Sequence, residues 1–156
     1  MKMNTHLRFG YLFVVLFDLL VVSCHSTPDT VVLSLSQAER IMESDPDSAM
    51  TILKHIPTPE SLHGKADYSL LMTQAMDKNY MKFTSDSLIK FAVGYYGSYT
   101  EDIVSKGKAF YYYGRVMESL DKVEDAMKFY LKAKDVLQNT KQFKLLGLVS
   151  EGIGDL

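Results

Sequence analysis

Between residues 122 and 138 the apolar and polar positions separate onto two sides of a helix. Val123, Ala126, Met127, Tyr130, Leu131 and Leu137 share one side, and Lys122, Lys128, Lys132 and Asp135 share the other. That is the stripe of an amphipathic helix with one face against a core. The same kind of pattern predicts a partner helix before it, so that residues from about Lys106 to Gln138 form a helical hairpin. Further upstream, Ser36 with Glu39 reads as a capping box opening a first helix. Asp45 as N-cap with Pro46 in the first turn opens a second, which carries Ala49, Leu53 and Ile56. A helix from about Glu60 to Met81, carrying Leu71 and Ala75, pairs with one from about Asp86 to Ser98. In that pair Gln74 stands where an apolar residue is expected and Leu88 where a small one is.

These segments repeat one unit. Asp47-Ser48-Ala49, Asp86-Ser87-Leu88 and Glu124-Asp125-Ala126 stand at corresponding helix starts, with a period near 40 residues. Such a period means stacked helical pairs, each burying its apolar face on its neighbours. Lys141 to Leu156 reads as the first helix of a fourth unit, with Gly154 falling 40 places after Gly114. Its stripe of Phe143, Leu146, Val149 and Ile153 lacks the polar finish of a capping helix. The expectation is that the array continues in a longer protein or that a partner covers this edge.

Within the Lys106–Gln138 unit the small and bulky residues follow a more specific pattern. Phe110, Tyr113, Gly114 and Met117 on the first helix, and Ala126, Tyr130 and Ala133 on the second, resemble the packing positions of tetratricopeptide repeats. Close packing gives the reason, since Gly114 and Ala126 let two helices approach where their axes cross and Ala133 makes room for the next unit. The resemblance covers roughly residues 35 to 156. It implies an all-α fold, a right-handed superhelix of stacked antiparallel helical hairpins, about three hairpins plus the first helix of a fourth. It also implies an inner surface lined by first-helix residues flanking the packing positions, here Lys108, Tyr111, Arg115 and Glu118, which would receive a protein or peptide partner.

The N-terminus follows different rules. Lys2 and Arg8 precede an apolar run from Phe9 to Val22, followed by Val21-Val22-Ser23-Cys24, the layout of a secretory signal. A run of about 14 residues makes a helix of roughly 21 Å, short of the ~30 Å hydrocarbon core, which argues against a permanent span. Asp18 inside the run argues the same way, because a carboxylate there costs roughly 2.5 to 3.5 kcal/mol on insertion scales. Val21, Val22, Ser23 and Cys24 resemble the lipobox of bacterial lipoproteins. The resemblance implies residues 1–23 as a signal helix, lipidation of Cys24 and retention on a membrane facing the periplasm or cell surface. An ordinary signal cleaved after Ser23 is the alternative. Residues 24–34, polar and proline-bearing, read as a tether to the repeat domain of residues 35–156.

Composition adds exclusions. The chain of 156 residues has one cysteine, so it has no internal disulfide and depends on packing. Its 17 basic and 19 acidic residues give a formal charge of −2 and are scattered, which argues against nucleic acid as a partner of this segment. His6, His25, His55 and His63 offer no pair spaced as two ligands on one helix face, so no metal site is expected. Gly94 and Gly97 lack the lysine and Ser/Thr of a phosphate loop, and no Gly-x-Ser-x-Gly elbow occurs. The sequence therefore predicts no catalytic residues and no cofactor. The aromatic runs Tyr95-Tyr96, Tyr99 and Phe110-Tyr111-Tyr112-Tyr113 are candidate anchors, most of them core because adjacent helical residues point about 100° apart. The reading is a membrane-anchored interaction scaffold. Its rivals are the sensory part of a longer membrane-linked transcriptional regulator, a structural subunit whose last helix is an assembly edge, and a hydrolase-associated accessory protein.

Overall fold

The computed structural model describes residues 28–99 and 101–156. The signal region, Cys24 and the first part of the tether lie outside these residues. Seven α-helices and no strand occur among the described residues, so the fold class is all-α. In chain order they are α1 (Pro28–Ile41), α2 (Pro46–His55), α3 (Leu62–Lys78), α4 (Ser87–Tyr99), α5 (Ile103–Ser119), α6 (Val123–Leu137) and α7 (Phe143–Asp155).

The first boundary differs from the sequence expectation. The segment read as tether up to Ser34 is helical from Pro28, and Ser36 and Glu39 lie inside α1 and do not cap its start. The physical reason is visible in the chain: Val31, Leu35, Ala38 and Met42 recur at helical spacing and are all buried, so the apolar stripe begins before the polar residues end. Other starts are capped by short side chains. Asp45 accepts from the Ser48 N–H at 3.1 Å, Ser61 from Gly64 N–H at 3.0 Å, and Asp102 from Val104 and Ser105 N–H, both at 3.1 Å. Each satisfies donors that a helix start leaves open.

Two helix ends are alike and unusual. After α3 the Met81 N–H reaches back to the Met76 carbonyl at 3.0 Å, and after α5 the Lys122 N–H reaches the Met117 carbonyl at 2.9 Å. Both are six-to-one closures that place the intervening residue in left-handed backbone. That residue is Tyr80 at φ 55° and Asp121 at φ 58°, where glycine would be the unstrained choice.

Successive helices pack on one another, and in addition α1 touches α3, α3 touches α5 and α5 touches α7. Among the described residues no even-numbered helix touches another. The odd-numbered helices therefore form one continuous layer and the even-numbered ones stand outside it. The core divides at α3. Leu71, Met72 and Ala75 pack with α1 and α2, whereas Ala66 and Leu70 join the larger cluster built by α4 to α7.

Tyr130 is the centre of the larger cluster. It is fully buried, held between two glycines: a Cβ on Gly114 would lie 2.4 Å from its ring and one on Gly152 would lie 2.8 Å from it. Ala126 and Ala133 are fully buried beside it on α6, and Phe110, Tyr113 and Met117 are buried on α5. The outer face of α6 is narrower in its burial than its sequence stripe. Val123 and Leu131 are about half exposed because an outer helix is covered only by α5 and α7.

Gly107 is the second close contact of this hairpin, since a Cβ there would lie 2.5 Å from the Leu137 side chain. Gly107 and Gly114 recur 40 residues later as Gly147 and Gly154, and both of these have nothing within 4 Å of an added Cβ. The face of α7 that matches the α6-bearing face of α5 is thus uncovered among the described residues, with Phe143 74% exposed. Val149, expected on this exposed stripe, is instead fully buried against the core. The contrast predicts opposite outcomes for one substitution. Gly147→Ala should stabilise by roughly 0.5 to 1 kcal/mol through helix propensity, and Gly107→Ala should destabilise by roughly 1 to 3 kcal/mol through overpacking. Thermal melts of the two variants check both signs.

Candidate functional site

Lys108, Tyr111, Arg115 and Glu118 occupy one side of α5, on the layer of odd-numbered helices. The structure brings all four together with residues that the sequence does not place on this face. Lys108 Nζ donates to Glu39 of α1 at 2.9 Å. Arg115 donates through Nε to Asp77 of α3 at 3.1 Å and through Nη1 to Glu118 at 3.1 Å. Glu118 in turn accepts from the Tyr130 hydroxyl at 2.6 Å, which ties the charged face to the buried ring beneath it. Tyr111 differs from the expectation of an open groove residue: it is only 6% exposed. Its ring packs at 4.9 Å from that of Tyr112 and 5.9 Å from that of Tyr130.

Glu43, in the turn after α1, is the second hub. It accepts from Lys78 at 3.0 Å and from the Gln74 amide at 3.1 Å, and it also contacts Lys144 in the first turn of α7. Neighbouring packed helices sit about 8 to 10 Å apart, so three steps across a flat layer would separate α1 from α7 by roughly 24 to 30 Å. A direct Glu43–Lys144 contact requires the layer to curve, with its charged side on the inside. The face is concave for that reason. Gln74, placed where an apolar residue is expected, is buried on this side, and its Oε1 has no hydrogen-bond partner among the described residues.

Burial and pairing set the charges of this face. Burial alone would raise the Glu43 carboxyl, but Lys144 and Lys78 hold it below its usual 4.5. Burial raises Asp77 above its usual 3.8 in spite of the adjacent Arg115. The two groups have opposite linkage. Glu43 contributes stability that is present above pH 4.5 and is lost as pH falls through its lower folded value. The Asp77 contribution is fullest below 3.8 and is lost as pH rises through its higher folded value. Lys144→Met should therefore move the Glu43 titration, followed by carboxylate NMR, up toward its ordinary value. An unmoved midpoint would show that Lys144 does not hold Glu43 in solution. The stability change should be small, since exposed pairs contribute roughly 0 to 1 kcal/mol.

Two of the hollows on the concave side bear on the site. One, of about 440 Å³, lies between α1, α3 and α5 and includes Glu39, His63, Asp67, Tyr96 and Lys108. Its polar groups are turned to each other: Tyr96 donates to Asp67, and His63 stands 3.5 Å from the same carboxylate. Burial raises Asp67 above its usual 3.8, against the Tyr96 hydrogen bond. The other, of about 310 Å³, lies between α3, α5 and α7 and includes Asp77, Tyr80, Tyr111, Arg115, Glu151 and Asp155. Sequence reasoning named Tyr111 and Arg115 there and missed Tyr80, Asp77 and Glu151. The side chain of Tyr99 lies outside the described residues. Tyr113 donates to Asp86 at 2.7 Å and stacks on Phe129 at 4.1 Å. Among the described residues no three His, Cys, Asp or Glu side chains are placed to hold a metal ion, and no helix is long and apolar enough to cross a membrane.

Among the described residues the fold is all-α, and its odd-numbered helices share one polar face. Comparison with known protein families, curated proteins and solved structures finds no match. The geometry itself is the basis for a functional reading.

Proposed function

We propose that this chain is a scaffold of tetratricopeptide-like hairpins that recognises a protein or peptide partner along the concave side of α1, α3, α5 and α7, with no bond made or broken. The observation that carries the reading is the curved layer in which α1, α3, α5 and α7 bring Glu39, Glu43, Asp77, Lys108, Arg115 and Lys144 onto one face. Convergent polar and aromatic groups on a rigid layer suit recognition by shape and a few anchors. In the same reading the Val21–Cys24 motif supplies the anchor: Cys24 carries lipid, and the helical domain stands on the outer side of a bacterial membrane. The alternative role, as the sensory part of a longer membrane-linked regulator, uses the same concave face.

The two halves of the reading are tested separately. Cys24→Ser should release the protein from the membrane fraction, and unchanged fractionation would remove the lipid anchor. Lys108→Ala combined with Glu151→Ala should reduce co-purification of a partner without lowering the melting temperature by more than a few degrees. Undiminished co-purification would place recognition elsewhere.

A further inference from the structure

The pocket between α3, α5 and α7 has an unbalanced set of polar groups. Asp77 is engaged by Arg115, but Glu151 and Asp155, one helical turn apart on α7, form no ion pair among the described residues. Three carboxylates thus face one guanidinium that is already shared between Asp77 and Glu118. Tyr111, 94% buried by its 6% exposure, lines this pocket, and its hydroxyl makes no hydrogen bond among the described residues. The hydroxyl itself keeps some accessible surface at the pocket wall, so it is open to a ligand or water there. At the rim stands Tyr80, 96% exposed and held in left-handed backbone at φ 55°. A large aromatic side chain kept in water on strained backbone is a feature that persists where it serves recognition.

We propose that this pocket receives the guanidinium of an arginine side chain from a partner segment. Glu151 and Asp155 accept its N–H groups, the Tyr111 hydroxyl accepts from the same fork, and the Tyr80 ring lies against its plane. Arginine suits the arrangement better than a smaller cation, because its five donors diverge in a plane and its face stacks on aromatic rings. The volume of about 310 Å³ accommodates the end of one such side chain with bridging water. The repulsion of two uncompensated carboxylates is relieved on binding, so affinity should fall as salt rises.

The assignment rests on the reading of the concave side as the recognition face and gives the chemistry of one anchor within it. Acetyl-arginine-amide, titrated into the protein and followed by NMR of the tyrosine rings, tests it without the native partner. Saturable shifts at Tyr111 and Tyr80, absent with the neutral isostere acetyl-citrulline-amide, are expected. Glu151→Gln with Asp155→Asn should weaken binding by on the order of tenfold or more. Tyr111→Phe should weaken it while leaving the melting temperature unchanged, since no intramolecular hydrogen bond is lost. Tyr80→Gly should weaken it while raising the melting temperature by relieving the backbone. Equal shifts from the citrulline derivative, or no saturable response, would overturn the arginine pocket. The concave face as a partner surface would then still stand or fall on its own test.

Discussion

Replacing Gly114 with leucine should destabilise the protein by about 3 kcal/mol or more and lower its melting temperature by roughly 10 °C. The magnitude follows from what lies opposite. A single Cβ at Gly114 would already be 2.4 Å from Cε1 and 2.5 Å from Cδ1 of Tyr130. These are atoms of a fully buried ring whose hydroxyl is fixed by Glu118. The ring cannot retreat, because Gly152 closes its other side at 2.8 Å for an added Cβ. The whole α5–α6 hairpin would have to open. Gly154→Leu, at the position 40 residues later, meets nothing within 4 Å and should change stability by less than about 1 kcal/mol. Equal melting temperatures for the two leucine variants would contradict the packing described for α6 between α5 and α7.

The complementary experiment removes the ring. Tyr130→Ala should cost roughly 3 to 5 kcal/mol, the range for deleting a buried aromatic side chain and leaving its cavity. The effect should sit at the upper end, because both walls of the vacated site are glycines with no side chain to collapse inward. Tyr130→Phe separates the hydrogen bond from the packing. It keeps the ring and leaves Glu118 with Arg115 as a partner, so it should cost only about 1 kcal/mol. Chemical denaturation of the three proteins checks the order. A Tyr130→Ala variant as stable as Tyr130→Phe would mean that the ring is not the centre of the core.

The hairpin of α5 and α6 was legible because its information is local. Glycine, alanine and aromatic residues at helical spacing specify which sides of two adjacent helices meet; Gly114 and Tyr130 meet at the contact, and Ala126 and Ala133 are buried in the same cluster. The start of α1 is legible in principle, since Val31, Leu35, Ala38 and Met42 mark its buried side, but the polar, proline-bearing character of residues 24–34 suggests a tether up to Ser34. The ends of α3 and α5 gave no such signal. Left-handed closures usually carry glycine or asparagine, and here they carry Tyr80 and Asp121.

The charged inner face was only partly readable for a different reason. The resemblance to tetratricopeptide repeats implies Lys108, Tyr111, Arg115 and Glu118 as one inner side of α5, but their partners come from residues distant in sequence. Glu39 reaches Lys108, Asp77 reaches Arg115, and Glu43 reaches Lys144 on the last helix. No periodicity within one helix encodes those pairings, which depend on how the hairpins curve. The burial of Tyr111 follows from the same curvature, which brings α7 over that part of α5. The Lys108–Glu39 and Lys144–Glu43 pairs are too exposed to stabilise the fold much by themselves, and the Arg115–Asp77 pair is partly buried. Together they fix the side-chain positions of the face, and positional order lowers the entropic cost of binding a partner.

The measurement that bears most directly on this account is site-specific photo-cross-linking in cells, with the photoreactive residue placed on the concave side at Tyr80 or at Leu148, which also lines the pocket between α3, α5 and α7, and at Lys128 or Leu131 on the outer helix α6. The account predicts a discrete adduct of one partner from the first two positions and none from the second two. Adducts formed equally from both sides, or only from α6, would contradict the assignment of the odd-numbered helices as the recognition surface.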